Sequence, residues 1–329
     1  MIRAPQVITS DPETQPAVLA WLALTERSDG FAPSPPAWLE LLHRSPKSCV
    51  YRLPQVGRHG GGVIAKQSQL EAARLECRVY ALLETLGCGG IGYYGCVETP
   101  AEERCWIFLE DAVGEPFDRH RPDHRQIAAE WLADLHTASA HLEDGESLPE
   151  RGPRHYLEHL RSGRETLRHA QAHRTLAAGE RAVLDEVYRV LDHAETHWLE
   201  VENASRDMPW ALVHADFVKK NVRVRRSERE ESRLLVFDWE VAGWGMPAVD
   251  LATVDLDAYH ARIRPHWPHV TREMLGRQAH VATLLRGGTA SVHWEATKLE
   301  GGWLDNIIGN LRLYAERMSA ALAALGWPR

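Results

Sequence analysis

The chain has 329 residues and a mass of 37.1 kDa, enough for one large domain or for two lobes that share a cleft. With 44% hydrophobic and 26% charged residues, its composition is that of an ordinary globular protein and argues against disorder, collagen and coiled coil. Because 46 acidic residues outnumber 38 basic ones, the net charge of -8 argues against general nucleic-acid binding. A cationic molecule or a metal-chelated anion is the easier partner for such a chain.

The cysteines and the N-terminus both indicate a cytoplasmic protein. The 5 cysteines lie between Cys49 and Cys105 and form no CxxC pair, which is typical of reduced thiols rather than of a disulfide framework. The first residues contain no apolar stretch of the kind that signal peptides have. No apolar run approaches the roughly 20 residues that a membrane span needs, so we expect no membrane association.

The predicted elements change in character along the chain. Residues 1–37 are interrupted by prolines around one predicted helix and are interpreted as an N-terminal extension. Strand-like runs (WLELL, CVYRLP, GVIAK, CWIFLE) dominate residues 38–110, with one amphipathic helix whose apolar residues run from Leu75 to Leu86. From residue 122 onward, helical patterns prevail. We therefore predict an N-terminal lobe over 38–112 and a helical C-terminal lobe over 113–329.

Residues 212–240, LVHADFVKKNVRVRRSEREESRLLVFDWE, contain the most informative polar pattern. Asp216 and Asn221 would point apart on a helix, so a loop is predicted there. The alternation after Asn221 and the apolar run before Asp238 predict a hairpin that turns within polar residues 227–232 and places Asn221 opposite Asp238. Two carboxylates and an amide would then converge, with oxygen ligands for Mg²⁺ and a carboxylate that can receive a proton.

The spacing His214-x-Asp216-x-x-x-x-Asn221 matches a kinase catalytic loop. In such a loop the aspartate orients the attacking hydroxyl, while the asparagine and a downstream aspartate, here Asp238, hold the metal. The strand GVIAK ends in Lys66 and is close to the V-A-I-K pattern, in which the lysine contacts the phosphates of ATP. Glu76, ten residues later and expected in the first turn of the helix, is the predicted ion-pair partner of this lysine.

Together these segments resemble the aminoglycoside phosphotransferase and choline kinase-like group of small-molecule kinases, which share the protein-kinase fold. HADFVKKN is similar to the family's H-G-D-x-x-x-x-N, with Ala215 in place of the glycine, and FDWEVAGWGMPAVDLA is similar to its metal-binding strand. WIFLEDAVGEP and AEWLADLHTA resemble the hinge and the helix that follows it. The resemblance covers about 38–255 and implies a bilobal α+β fold, with a small antiparallel-sheet N-lobe and a larger, mostly helical C-lobe.

The resemblance also implies cofactors and roles. ATP or GTP would bind with Mg²⁺, and adenine would lie against the hinge around Glu110 and Ala112. His214 would brace the catalytic loop, and Asp250 would cap or brace it rather than bind metal. The phosphate-covering loop is expected at HRSPKS, where its hydroxyl and backbone donors are those of two serines, Ser45 and Ser48. The glycines of residues 57–62 are expected only to turn a hairpin.

The identity of the phosphate acceptor is left open by the sequence. Only eleven residues separate Asp238 from Asp250, too few for a long activation loop, so a small-molecule hydroxyl is favoured over a protein. Aminoglycosides, amino sugars, other antibiotics, choline, sugars and homoserine-like alcohols all remain candidates, and either a monomer or a homodimer is compatible with the sequence. Candidate substrate contacts are Glu240, Trp244, Asp255, Asp257 and Trp303.

Two alternatives to a small-molecule kinase come from other functional classes. A nucleotide-binding pseudokinase would have the same fold, but the complete set of motif residues argues against it. A metal-dependent hydrolase would need a histidine site. The best such cluster is His260, His266 and His269, whose spacing matches no zinc template.

Overall fold

The computed structural model describes residues 6–27, 34–142, 145, 147–226, 232–299 and 304–328. Its strands are β1 (Gln6–Ile8), β2 (Leu39–Arg44), β3 (Cys49–Leu53), β4 (Val63–Gln69), β5 (Tyr93–Thr99), β6 (Arg104–Glu110), β7 (Glu115–Pro116), β8 (Glu150–Arg151), β9 (Ala211–Val213), β10 (Val222–Arg225), β11 (Arg233–Val236) and β12 (Gly243–Gly245). Its α-helices are α1 (Pro16–Thr25), α2 (Leu70–Thr85), α3 (Pro122–Ser139), α4 (Pro153–His173), α5 (Ala178–Thr196), α6 (Trp198–Ala204), α7 (Leu256–Ile263), α8 (Arg272–Leu284), α9 (Ser291–Ala296) and α10 (Leu304–Ala324).

The chain forms two compact units whose limits differ from the predicted domains. Unit 1 comprises Met1–Phe117 and Val218–Val241, and unit 2 comprises Asp118–Phe217 and Ala242–Arg329. The hairpin of β10 and β11 belongs to unit 1 because β10 also pairs with β7. The predicted extension does not stand apart either, since β1 pairs with β2 and α1 contributes to the core of unit 1.

The main sheet of unit 1 is antiparallel and has the strand order β1-β2-β3-β4-β6-β5. Alternation along β4 gives the sheet two chemically different faces. Val63 and Ala65 are fully buried in a core that includes Trp21 of α1. Ile64 and Lys66 therefore lie on the opposite face. The glycine-containing segment before Val63 connects β3 to β4, as predicted, because β3 and β4 form an antiparallel pair.

Helix α2 follows β4 directly and ends before Gly87, whose φ of 68° is the left-handed conformation common just after a helix. The sequence predicts Glu76 in the first turn of this helix. Because the helix begins at Leu70, Glu76 lies in the second turn instead. Glu76 belongs to the buried face of the helix together with Val79 and Tyr80.

The hairpin is present, but its predicted register is wrong by one residue. Val222 pairs with Val236 and Val224 with Leu234, so Asn221 lies next to Phe237 rather than Asp238. The backbone N–H of Phe237 donates to the carbonyl of Asn221 over 3.1 Å. The run from Leu234 to Phe237 is apolar at every position, so its pattern did not distinguish between neighbouring registers.

Unit 2 is mainly helical, with one small sheet in the order β8-β12-β9. Helix α3 has Pro122 in its first turn, where a missing N–H costs nothing, and buries Ala128, Leu132 and Leu135. The Ser139 hydroxyl near its end accepts a hydrogen bond of 3.0 Å from the backbone N–H of Leu212 in β9. This contact ties the helix to the strand that leads into His214 and Asp216.

Two irregular helical segments lie in the described part of unit 2. A 3₁₀ helix over Pro247–Thr253 carries Asp250, and a π-helix over Leu285–Ala290 carries Arg286. Such π-helical segments are rare and are often found at functional sites. Among the helices in the described part of the chain, none combines the length and apolarity needed to cross a membrane.

Candidate active site

Lys66 of unit 1 lies between two carboxylates. Its Nζ is 2.8 Å from Oε2 of Glu76 and 2.5 Å from Oδ1 of Asp238. Burial alone would lower the pKa of Lys66, but Glu76 and then Asp238 outweigh it and raise the pKa above its usual range. Burial also raises the pKa of Glu76, although Lys66 opposes this change. The two carboxylates and one ammonium together are negative, which suits the approach of a cation.

These charged residues line a cavity of about 650 Å³ in unit 1. This volume lies within the usual range for cofactor pockets. Cross-strand pairing supplies its apolar wall, because Val50 is opposite Lys66 and Leu109 is opposite Ile64 on the same face of the sheet. The other sequence-predicted residues in its lining are Ser48, Glu110, Ala112, Asn221 and Glu240. The apolar wall was missed by the sequence analysis, although alternation along β4 contained the signal.

The predicted phosphate-covering loop is the tight turn between β2 and β3. Ser45 accepts a hydrogen bond of 3.0 Å from the backbone N–H of Ser48 at its Oγ, and its own N–H donates to the Ser48 carbonyl over 2.8 Å. Arg104 of β6 donates to the carbonyls of Lys47 and Pro46, at 2.7 and 2.9 Å. The turn is therefore held from inside by its serines and from outside by a guanidinium.

The predicted hinge lies at the end of β6, whose last residue is Glu110, and both Glu110 and Ala112 line the same cavity. The Glu110 carboxylate accepts a hydrogen bond of 3.1 Å from the N–H of Gly92 and forms an ion pair of 2.6 Å with Arg225. Asp111 forms an ion pair of 2.7 Å with Arg52. The side chains of Glu110 and Asp111 are therefore both paired with arginines of unit 1.

In unit 2, the segment from His214 to Asp216 is anchored by Asp250. The buried Asp250 carboxylate accepts hydrogen bonds from the backbone N–H groups of His214 and Ala215, at 2.7 and 3.0 Å. Burial would raise the pKa of Asp250, but the attraction of His136, followed by that of His214, holds this pKa below its usual range. Asp250 therefore braces the loop, as expected from the sequence.

The conformation of this loop explains the roles of Ala215 and His214. Ala215 has a φ of 58°, a left-handed conformation that glycine adopts at lower cost, and the resembling family has glycine at this position. The N–H of Asp216 donates to Nδ1 of the fully buried His214 over 3.2 Å. An imidazole nitrogen used as an acceptor in this way braces the loop, which is the role predicted for this histidine.

Arg286 contacts the loop and was not found from the sequence. Its guanidinium donates to Oδ1 of Asp216 at 2.5 Å and to the carbonyl of Ala215 at 2.9 Å. The side chains of Arg286 and Asp216 are only 13% and 14% exposed, so little water screens this pair. No local pattern could have revealed a contact between residues seventy positions apart.

The weaker substrate candidates are distributed differently from the prediction. Glu240 belongs to unit 1, not to the helical part, because it follows β11 before the chain enters unit 2. Asp255 caps α7 by accepting hydrogen bonds from two backbone N–H groups, and Asp257 pairs with Arg272 at 2.5 Å. Trp244 lies in β12 and packs on Gly145. Trp303 lies outside the described residues.

In the histidine cluster considered for a metal-dependent hydrolase, His260 makes a contact with the backbone. Nε2 of His260 lies 3.1 Å from the carbonyl oxygen of Val270, which engages that ring nitrogen with the backbone. The other two histidines, His266 and His269, lie in the short connection between α7 and α8.

A cavity with a lysine held by two carboxylates, and a separately braced aspartate loop, are features expected of a phosphotransferase. The sequence model of the phosphotransferase enzyme family (APH) matches residues 63–286, and the chain belongs to this family. No curated protein sequence is significantly similar to the chain.

Solved structures share the fold at low sequence identity. Choline kinase from Cryptosporidium parvum is 11% identical, with 88% of this chain and 90% of that chain covered and a TM-score of 0.61. A mutant aminoglycoside 2'-phosphotransferase IIIa in complex with GDP is 14% identical, with 93% and 98% covered and a TM-score of 0.61. Spectinomycin phosphotransferase in complex with ADP and spectinomycin is 11% identical, with 87% and 92% covered and a TM-score of 0.58. The expected α+β class, with an antiparallel N-terminal sheet and a helical C-terminal part, is confirmed.

Proposed function

We propose that this protein is an ATP-dependent kinase that phosphorylates a hydroxyl group of a small molecule. The observation that carries the proposal is the position of Lys66 between Glu76 and Asp238 in a nucleotide-sized cavity. A lysine held in this way can contact the nucleotide phosphates and neutralise the charge that develops during transfer. The apolar wall that includes Val50 and Leu109 would receive the base, with the backbone at Ala112 beside it.

Mg²⁺ fits the residues at the polar end of the cavity. Asp238 and the buried Asn221 supply a carboxylate and an amide oxygen, which are hard donors of the kind that Mg²⁺ prefers, and both line the cavity. The net negative charge of the group formed by Lys66, Glu76 and Asp238 supports the same assignment. Bound there, Mg²⁺ would neutralise phosphate charge.

Asp216 is proposed as the catalytic base. It would accept the proton of the acceptor hydroxyl as the new oxygen–phosphorus bond forms and the bond between the γ-phosphorus and the β,γ-bridging oxygen breaks, leaving ADP. Asp250 and His214 would hold the loop, and Arg286 would orient the carboxylate through its contact at Oδ1. Because Arg286 also binds the Ala215 carbonyl, it would keep the loop and the carboxylate in one arrangement.

The proposed acceptor is an alcohol of low molecular weight. An acceptor that also carries a positive charge would be attracted to the protein, because the chain is acidic. A cytoplasmic location is proposed because all five cysteines are free thiols. GTP is retained as an alternative donor, since one structural neighbour was solved with GDP and another with ADP.

The test is phosphate transfer from radiolabelled ATP to a panel of aminoglycosides, amino alcohols and sugars, with and without Mg²⁺. Asp216→Asn should lower kcat by about 100-fold or more while ATP still binds, since general-base catalysis contributes about 10²–10⁴-fold. Asp134→Asn is the matched control, because Asp134 also pairs with an arginine but on the surface. Unchanged transfer by Asp216→Asn would remove the base assignment. ATP binding without transfer to any acceptor would favour the nucleotide-binding pseudokinase.

A further inference from the structure

Three of the five cysteines meet in unit 1, on residues that the proposed reaction does not use. Cys77 lies on α2, Cys96 on β5 and Cys105 on β6. One sulfur atom from each lies within 4.8 Å of the other two, and all three are free thiols. Cys77 and Cys105 are buried and Cys96 is partly buried. Three different elements therefore direct their thiols to one point.

The strand register explains how the two sheet cysteines come to share a face. Cys96 is paired with Ile107, and Cys105 lies two residues before Ile107 on the same strand. Because residues two apart on a strand face the same side, both thiols lie on the face to which Lys66 also belongs. Helix α2 supplies the third thiol from above this face.

A second, independent observation marks the same place. Ser68 of β4 is paired directly with Cys105 and is only 3% exposed. Its hydroxyl has no hydrogen-bond partner among the described residues. Buried hydroxyl groups nearly always have a partner, so the Ser68 hydroxyl is available to a ligand that binds beside Cys105. The side chains of directly paired residues are about 5 Å apart, which is within reach of a common ion.

We propose that Cys77, Cys96 and Cys105 form a binding site for one thiophilic d¹⁰ metal ion, Cu⁺ or Zn²⁺. Thiolates select such ions. Around an ion with bonds of about 2.3 Å, neighbouring sulfur atoms lie about 4 Å apart, so the thiols need to move by less than about 1 Å to bind. Each thiol releases its proton to solvent as its sulfur–metal bond forms.

The two ions differ in what they require of Ser68. Three thiolates complete a trigonal site for Cu⁺, whereas Zn²⁺ takes four ligands and would use the Ser68 hydroxyl as the fourth. In either case the ion would join α2, which carries Glu76, to β5 and β6. The site does not depend on the proposed kinase activity, so each proposal can fail without the other.

The experiment uses the reduced full-length protein without oxygen, titrated in separate arms with Zn²⁺ and with Cu⁺ buffered by a chromophoric chelator. One ion per chain is expected in at least one arm. Iodoacetamide labelling followed by mass spectrometry should then show at least about tenfold slower alkylation of the three clustered cysteines. Cys49 and Cys88, which lie outside the cluster, are internal controls and should react at unchanged rates. Equal protection of all five cysteines, or of none, would overturn the proposal.

Variants give an independent measurement. Cys77→Ser should weaken binding about 100-fold, comparable to the loss of a metal-orienting group, while Cys88→Ser should leave it unchanged. A hundredfold excess of the ion over its Kd should raise the Tm of the natural protein by about 4 °C or more, and that of Cys77→Ser by much less. Ser68→Ala should weaken Zn²⁺ binding only. Equal losses in Cys77→Ser and Cys88→Ser would contradict a site made of these three thiols.

Discussion

Asp250→Asn is the sharpest test of how the aspartate loop is held. The substitution keeps the shape of the side chain and removes its charge. In the natural protein the two carboxylate oxygens accept the N–H groups of His214 and Ala215, at 2.7 and 3.0 Å. An asparagine can accept only one of them, because its second terminal atom is an N–H donor facing another donor.

The expected loss of stability follows from these contacts. Leaving one buried N–H without an acceptor costs about 1–3 kcal/mol, and the remaining hydrogen bond loses the strengthening by charge that is worth about 1 kcal/mol. The carboxylate also loses its attraction to His136, whose Nε2 is 3.7 Å away. Together these terms predict a decrease of about 3 kcal/mol in the free energy of unfolding, which urea denaturation would measure.

The pH dependence gives a second measurement on the same variant. The pKa of Asp250 is lowered from 3.8 in the folded protein, so its stabilisation is complete above the unfolded-state value and is lost as the pH falls through the folded value. The difference in stability between the natural protein and Asp250→Asn should therefore be present at neutral pH and shrink below about pH 4.

Asp255→Asn is the matched control, because Asp255 also accepts two backbone N–H groups but at a helix start nearer the surface. Asparagine caps helices about as well as aspartate, so this variant should change stability by less than about 0.5 kcal/mol. Equal effects of the two substitutions, or a change below about 0.5 kcal/mol in Asp250→Asn, would refute the reasoning from buried hydrogen bonds.

Two further substitutions test the contacts of Lys66 and of Asp216, the proposed catalytic base. Glu76→Gln should lower kcat/KM for ATP at least about tenfold, because Lys66 loses a buried charge-assisted hydrogen bond worth about 1.5–3 kcal/mol. Glu84→Gln is an exposed change on the same helix and should leave the ATP kinetics unchanged. If both glutamate variants behave alike, the ion pair has no role in nucleotide use. Arg286→Met should reduce kcat about 10- to 100-fold with little change in ATP affinity, since a misplaced base slows only the chemical step, and Arg286→Lys should recover part of the loss. Arg262→Met removes a similar arginine–aspartate pair from the surface, where such pairs are worth about 0–1 kcal/mol; a kcat that falls equally in this variant would exclude a positioning role for Arg286.

Local sequence was sufficient for the elements that depend on short-range chemistry. The strand before Lys66, the helix after it and the hairpin from Val222 follow from periodicity and from turn residues, and all are present. The ion pair between Lys66 and Glu76 was predicted because a lysine that reaches phosphates needs a carboxylate to position it, and Glu76 follows ten residues later. The bracing of the loop by Asp250 followed from the resemblance to a family.

The register of the hairpin and the limits of the two units depended on long-range contacts. Leu234–Phe237 is apolar throughout, so only the pairing of β10 with both β7 and β11 selected one register. The same pairing places the hairpin in unit 1, although its sequence neighbours belong to unit 2. Likewise, α1 joins the core of unit 1 because Trp21 packs against the sheet, a contact that no local pattern encodes.

The sequence was enough to single out candidate residues for phosphate chemistry, because carboxylates, an amide and a lysine stand at the spacing of the family. The tertiary structure alone decided which side chains meet across distance. Arg286 reaches Asp216, and three cysteines from one helix and two strands converge beside Ser68. The physical reason is that such contacts are made by packing of separate elements, where pairing register and burial, rather than neighbours in the chain, determine what each group touches.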